Sequence, residues 1–492
     1  MRARAWVLIT VAALLAGASG CAVGPDFKRP MPPAATTYGS APVQGSTAGA
    51  TGHGGGAQAF LSGRDIPAEW WRLFGSAKLD RLVEQALAAN PNVTAAQAAL
   101  RQAHALYRAQ QTSLFPTVQG GFSAARSKFA TGTITAPTVA SSATYSLYTP
   151  ELTLSYTPDV FGGVRRAVET AKAQMQSARF ELEATYVTLS TNVAVTAVQE
   201  ASLREQIAVT RRLLALQRQL TQTVEHQRGL GTASQLDLLT QQSAEAQTAA
   251  SLPPLEKQLG QTRDAFTALL GRLPSEEPAE TFTLSDLSLP LELPVSVPSR
   301  LVEQRPDVRE AEESLHAASA QVGVAIADLL PQFSIDADLG SAALTIGRLF
   351  SPYTGFWDAG ASLTQTLFDA GALLDRRRAA QAALDEAAAQ YRAAVILACQ
   401  NVADTLRALQ ADASELRASA EAARAAAAAF ALAQRQYRLG SISFVAVLNA
   451  EQLSQQAEIA RVQAEANRYS DTAGLFQALG GGWWNRPEER PR

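Results

Sequence analysis

The chain has 492 residues, of which 47% are hydrophobic and 18% charged, with a formal net charge of -3 and two cysteines, Cys21 and Cys399. That balance excludes a basic nucleic-acid-binding protein, and the two cysteines exclude a disulfide-built scaffold or a multi-thiolate metal site. A chain of this length would ordinarily divide into several unrelated domains, but internal repeats point to a different organisation.

Residues 1–20 read as a signal peptide: Arg2 and Arg4, an apolar run from Ala5 to Ala16, then small residues up to Cys21. The run is too short to span a bilayer as a helix. Cys21 is the expected lipidated N-terminus of the mature chain, although Ala18 stands where lipoprotein signals usually carry Leu. Ala22, with no Asp after the cysteine, points to outer-membrane sorting by analogy with known lipoproteins. Residues 21–66 are then a lipid anchor and tether, and the Gly/Ala/Thr-rich stretch from Pro32 to Gln58 has the composition of a flexible linker. Acylation of Cys21 leaves Cys399, within a helical stretch, as a packing residue.

From residue 67 the sequence repeats. Asn90-Pro91-Asn92-Val93 matches Arg305-Pro306-Asp307-Val308, and the next prolines, Pro116 and Pro331, follow 25 residues later in both copies. Gly229-Leu230-Gly231-Thr232 matches Arg438-Leu439-Gly440-Ser441, and each copy closes at a glycine, Gly271 or Gly480, 40 residues beyond Gly231 or Gly440. The expected organisation is a first repeat over 67–271, a Pro-rich linker over 272–298, a second repeat over 299–482 and a tail over 483–492.

Each repeat opens with short helices and two strands. Phe333 to Leu339 and Leu152 to Thr157 alternate apolar and polar residues, and further strands are expected from about Thr117 to Ala130 and from about Gly355 to Phe368. Such segments are long enough to cross a bilayer as tilted strands, with Tyr145, Tyr148, Tyr156, Phe161, Tyr353, Phe356 and Trp357 as interfacial aromatics. Four strands cannot close a membrane barrel, because the smallest have eight, so the chain is expected to oligomerise. Asp336 and Asp338 are the expected lumen-facing residues. A soluble hairpin on a core would alternate in the same way.

No Gly or Pro interrupts Val164 to Arg228 or Ala372 to Leu439, so each repeat continues into a helix of about 65 residues, roughly 100 Å long. Turns follow at Gly229–Thr232 and Arg438–Ser441. The lengths allow two shorter helices to stack end to end beside each long one. The segment 232–270 is paired in this reading with 306–330, and 441–479 with 91–115.

Cys21-Ala22-Val23-Gly24-Pro25-Asp26-Phe27, Glu69-Trp70-Trp71, Asp159-Val160-Phe161-Gly162-Gly163-Val164-Arg165-Arg166 and Gly480-Gly481-Gly482-Trp483 together resemble the NodT/OprM branch of TolC-like outer-membrane factors. The resemblance covers nearly the whole mature chain. It implies an α+β membrane protein: a homotrimer whose twelve strands, four per chain, form one outer-membrane β-barrel continued by a periplasmic α-helical coiled-coil barrel. It implies a passive exit duct for small toxic compounds, with a periplasmic adaptor and an inner-membrane pump of the resistance-nodulation-division type as partners. The tips Gly229, Leu230, Gly231, Thr232, Arg438, Leu439, Gly440 and Ser441 are then the adaptor contacts. Ile442, Ser443 and Asp237 are candidate gate residues, because some relatives carry an acidic ring just after the second tip and this chain does not.

Catalysis is not expected. His53, His104, His226 and His316 are scattered without metal-ligand spacing, and His104 and His316 read as solvated helix residues. There is no phosphate-binding glycine loop or nucleophile elbow, and neither cofactor nor metal is called for. Two alternatives share features of this sequence: a periplasmic adaptor lipoprotein with one coiled-coil hairpin, and a type I protein-secretion duct of the same fold.

Overall fold

A computed structural model describes residues 22–39, 45–128 and 144–486. Cys21 and the end of the first expected strand lie outside these residues. Contacts divide the chain into two compact units. The first gathers Met1–Arg29, Arg101–Ser177 and Glu312–Gln390, and the second Pro30–Leu100, Ala178–Ala311 and Tyr391–Arg492.

The elements repeat in order. Helices α1 (Ala77–Ala89), α2 (Pro91–Thr112), α3 (Gly163–Gly229) and α4 (Gln235–Leu269) of the first copy answer to α5 (Pro298–Gln304), α6 (Pro306–Ala327), α7 (Ala372–Arg438) and α8 (Phe444–Ala478) of the second. Helices α2 and α6 have 22 residues each, α3 and α7 have 67, and α4 and α8 have 35. Among the described residues no helix is long and apolar enough to cross a membrane.

In the first unit, β2 (Thr117–Lys128), β3 (Thr144–Tyr156), β5 (Gln332–Ser341) and β6 (Gly355–Thr364) form one antiparallel sheet in the order β2-β3-β5-β6. The outer edges of β2 and β6 have no strand partner among the described residues. Phe356 lies opposite Gly340, and a Cβ on that glycine would stand 2.7 Å from the Phe356 ring, so only glycine lets the ring settle on the strand. Each long helix starts on a carboxylate. Asp159 accepts from the Val164 and Arg165 N–H groups at 2.9 Å, and Asp369 from those of Gly371 and Leu373 at 2.9 and 2.7 Å. These bonds satisfy donors the first helical turn would otherwise leave open.

In the second unit the long helix α7 buries a heptad stripe. Val402, Leu406, Leu409, Ala413, Leu416 and Ala420 are buried at alternating spacings of four and three residues, the seam of a left-handed coiled coil. The stacking of the shorter helices differs from the expected pairing. Asn90, just before α2, donates to the carbonyl of Leu269 at the end of α4 at 2.9 Å, and Arg305, just before α6, donates to Ala478 at the end of α8 at 3.0 Å. Each junction therefore lies within one repeat, not between repeats. Close approach seals both junctions. A Cβ on Gly271 would stand 2.5 Å from the Ala89 carbonyl, and one on Gly480 2.6 Å from that of Gln304.

The stretch read as a flexible linker is in part fastened. Short strands β1 (Ala59–Ser62) and β4 (Glu292–Val295) pair in parallel. Arg468 of α8, fully buried, donates to the carbonyls of Gly54 and Gly56, to Thr47 Oγ1 and to Gln58 Oε1 at 2.7–3.3 Å. Gln58 is buried too, and bonds Pro290 and Thr472. A single guanidinium thus holds the segment through four acceptors.

Arg468→Met should free this segment, since each hydrogen bond from a charged donor is worth about 1.5–3 kcal/mol. Limited proteolysis between Ala50 and Gly56 is expected to speed up at least about ten-fold, the factor that 1.4 kcal/mol of local opening gives.

Candidate functional site

The sheet in the first unit separates polar from apolar side chains. Residues paired across an antiparallel ladder point to one face, so the registers assign every strand position. One face carries Gln119, Ser123, Glu151, Thr153, Ser155, Ser334, Asp336, Asp338, Asp358 and Ser362. The other carries Val118, Phe122, Leu152, Leu154, Ile335, Leu339, Trp357 and Leu363. Most of these apolar side chains are exposed, Trp357 at 77% and Val118 at 66%. Among the described residues no core covers them.

Asp336 and Asp338 both lie on the polar face. Asp336 accepts from Ser155 Oγ at 2.6 Å and from Ser334 Oγ at 3.2 Å, while Asp338 sits directly opposite Asp358. Like charges directly opposite each other in a ladder oppose pairing, so the sheet tolerates this pair at a cost. Asp358 and Glu151 are absent from the sequence reading. Asp358 lies among Gly and Ala residues that hide its strand's alternation, and Glu151 precedes the stretch that alternates cleanly.

The aromatic residues divide in the same way. Tyr148, Tyr156 and Trp357 belong to the apolar face, whereas Tyr145 and Phe356 point to the polar one. Phe161, past the end of β3, packs on Phe333 with ring centroids 6.4 Å apart. Tyr353 is fully exposed in the loop between β5 and β6.

The residues after Cys21 are clasped at the strand-to-helix junction. The Val23 N–H donates to the Phe161 carbonyl at 3.0 Å, and Gly162, at φ +80°, leaves room for Ala22, which a Cβ would meet at 2.5 Å. Arg166, buried, bridges Asp26 at 2.6 Å and Glu169 at 2.8 Å, and Arg29 reaches Glu312 at 2.5 Å. His316 is not a solvated helix residue. Its ring stacks on Phe27 at 4.3 Å, and its nitrogens meet Glu169 at 2.8 Å and Glu313 at 3.4 Å. The Glu313 bond holds the imidazole above its ordinary pKa; burial opposes it and Glu169 reinforces it. Burial would raise the Glu169 carboxyl, but its bonds with Arg166 and His316 prevail and hold it low.

The tips belong to the second unit. Helix α3 ends in a turn where the Thr232 N–H donates to the Gln227 carbonyl at 2.9 Å, and α7 in one where Ser441 donates to Gln436 at 3.0 Å. Gly231 and Gly440 adopt φ of +75° and +72°, a left-handed conformation that stops each helix without the strain a side chain would bring. Leu230 and Leu439 project from the turns, 66% and 83% exposed, beside the exposed Gly229 and Arg438. Behind them Val224, Leu238 and Phe444 form a small buried cluster, and Tyr437 Oη donates to Gln227 at 2.9 Å. Asp237 caps its own helix, accepting from the Ser234 N–H at 3.0 Å and from Ser234 Oγ at 2.7 Å, and these bonds keep its carboxyl below the ordinary range. Ile442 is half-buried and Ser443 exposed.

A family model described as outer membrane efflux protein matches residues 82–272 and 297–481. The chain is similar to the pyoverdine export outer membrane protein OpmQ of Pseudomonas putida, 32% identical over 417 residues that cover 84% of this chain and 88% of that protein. It is similar to the toluene efflux pump outer membrane protein TtgC of Pseudomonas putida, 27% identical over 97% of this chain and 96% of that one. Among solved structures, the outer-membrane channel OprN aligns with a TM-score of 0.84 at 29% identity, covering 94% of this chain and 100% of that one.

The His316 clasp makes stability depend on pH. A raised histidine pKa adds stability that is fully present below the unfolded value of about 6.5 and is lost as pH rises through the folded one. Thermal midpoints of wild type and His316→Gln should therefore lie further apart at pH 5.5 than at pH 8.5. A constant gap would mean that the contact is packing alone.

Proposed function

The chain belongs to the outer membrane efflux protein family, and from that premise we propose how its own residues build the duct. It is an outer-membrane channel of a tripartite efflux system, in a family of channels rather than enzymes. The observation that carries the mechanism is the four-stranded sheet with one exposed apolar face, one polar face and two open edges. Lipid offers no partner to an open edge, and the smallest membrane barrels need eight strands, so copies of the chain must complete the sheet. Three copies give twelve strands. Because each chain supplies an even number of alternating strands, β6 of one copy meets β2 of the next antiparallel, and the ring closes on one kind of ladder.

In that ring the apolar face meets lipid and the polar face lines the lumen. Glu151, Asp336, Asp338 and Asp358 then point inward without a basic residue among them, so the pore favours cations. Transport is passive in the duct, and energy and selection come from an inner-membrane pump of the resistance-nodulation-division type, joined through a periplasmic adaptor. The cargo is small toxic or exported compounds, in keeping with relatives that handle pyoverdine or toluene. The duplicated strand pairs do not fit an adaptor with a single hairpin.

The tips are the adaptor contacts in this reading: Gly229, Leu230, Gly231 and Thr232, with Arg438, Leu439, Gly440 and Ser441. Ile442, followed by Ser443, sits where an apolar constriction would close the idle duct. Asp237 is committed to capping α4 and is the weaker gate candidate. Cys21 carries the lipid that holds the clasped N-terminus at the membrane.

Asp336→Asn with Asp338→Asn should lower the cation-to-anion permeability ratio of single channels at least about two-fold, read as a reversal potential under a salt gradient. An unchanged potential would place these carboxylates off the conduction path. Leu439→Asp, which leaves the turn's backbone bonds intact, should weaken adaptor binding by roughly 30-fold, the effect of losing a central hot spot. A variant that assembles normally and still supports full drug resistance would remove the tips from the docking surface.

A further inference from the structure

The sheet sorts its charges by face. Its four carboxylates all lie on the polar side, but its two cations, Arg126 and Lys128, occupy the apolar row that begins with Val118 and Phe122. Both are exposed, and neither has a carboxylate partner among the described residues. The next stretch, 129–143, contains no acidic residue.

Their height explains how an apolar row can carry them. Arg126 and Lys128 lie nine and eleven positions beyond Thr117. With a rise of about 3.4 Å per residue and a tilt of about 40°, that places them roughly 23 and 29 Å above the helical end of the sheet. The apolar band of an outer-membrane barrel is about 25 Å tall. The two cations therefore emerge at its outer rim, at the level of lipid headgroups.

The loop between β5 and β6 adds to this rim. The Phe350 N–H donates to Ser341 Oγ at 3.2 Å, and Ser341 belongs to the same apolar row as Leu339, which draws the loop over the apolar side of the sheet. Ser341 Oγ donates in turn to Thr354 at 2.9 Å, and Ala343 bridges to Tyr148. Phe350 and Tyr353 hold φ of 64° and 73°, a conformation that costs side-chain-bearing residues about 1–3 kcal/mol. Both rings stay exposed, beside exposed Leu344 and Ile346, and Arg348 among them also lacks a carboxylate partner. A strained loop that presents apolar side chains and a cation outward is built to meet something amphipathic and anionic.

We infer that Arg126, Lys128 and Arg348 bind the phosphates of anionic lipid headgroups in the outer leaflet, with Phe350 and Tyr353 against the acyl chains. The inference rests on the reading that the apolar face meets lipid. Guanidinium and ammonium groups supply the charge-assisted bonds that phosphate needs, and the neighbouring apolar surface distinguishes a lipid from free phosphate.

The test uses the full-length protein in brominated phosphatidylcholine vesicles, titrated with diphosphoryl lipid A. Exposed Trp357, on the lipid-facing row, reports contact by its quenching. Quenching by brominated lipid is expected in wild type and in the triple variant Arg126→Gln, Lys128→Gln, Arg348→Gln alike. Affinity for diphosphoryl lipid A should fall at least about ten-fold in the triple variant. Should the strand changes impair assembly, Arg348→Gln alone, outside the strands, is expected to lower it about three-fold. Equal affinity in the variants, or full competition by inorganic phosphate, would overturn the site and leave the duct standing. Loss of Trp357 quenching in the wild type would instead overturn the orientation of the sheet itself.

Discussion

A β-sheet inside lipid cannot keep an open edge, because no water is there to satisfy the unpaired N–H and C=O groups. Four strands whose edges at β2 and β6 have no partner among the described residues are therefore an incomplete object. The rest of the molecule answers to that constraint. Exposed Val118, Phe122, Leu339 and Trp357 would be a liability on a soluble hairpin, yet on a barrel wall they are the required outer surface. The opposite face, which sets Asp338 against Asp358, can be polar because in the proposed ring it borders an aqueous lumen.

Duplication meets the same constraint economically. Two copies of a unit with helices of 22, 67 and 35 residues supply two strand pairs and two long hairpins in one chain. Each copy closes on itself where its last helix meets the start of its 22-residue helix, through Asn90 to Leu269 or Arg305 to Ala478. The glycines at these joints are needed for close backbone approach, and those at the tips for helix reversal. Both roles follow from geometry and neither involves chemistry at the glycine.

Much of this was legible in the sequence, and the gaps have physical causes. The strand at Phe333 to Leu339 alternates without fault, as a strand does when its two faces differ in polarity, and the long helices show themselves by having no Gly or Pro. Helix stacking order was not legible, because the two repeats have equal lengths and length arithmetic fits either pairing. The fastened segment around Gln58 has a linker's composition, and its anchor, Arg468, lies 410 residues away in the chain. His316 looked solvated because Phe27 and Glu169 come to it from other parts of the chain. Asp358 was missed because Gly and Ala neighbours mask the period of β6. The tips were readable as turns, but the capping role of Asp237 appears only once Ser234 is placed beside it.

The most direct test of the account is whether the free edges of β2 and β6 join between copies. In a Cys399→Ser background, Gln119→Cys on β2 can be combined with Gly360→Cys, Ser362→Cys or Thr364→Cys on β6, all on the polar face. Oxidation of the purified outer-membrane protein should give covalent dimers and trimers, and nothing larger, for at least one pairing. Cross-links confined to single chains, or a ladder that runs past three, would contradict a closed twelve-stranded ring.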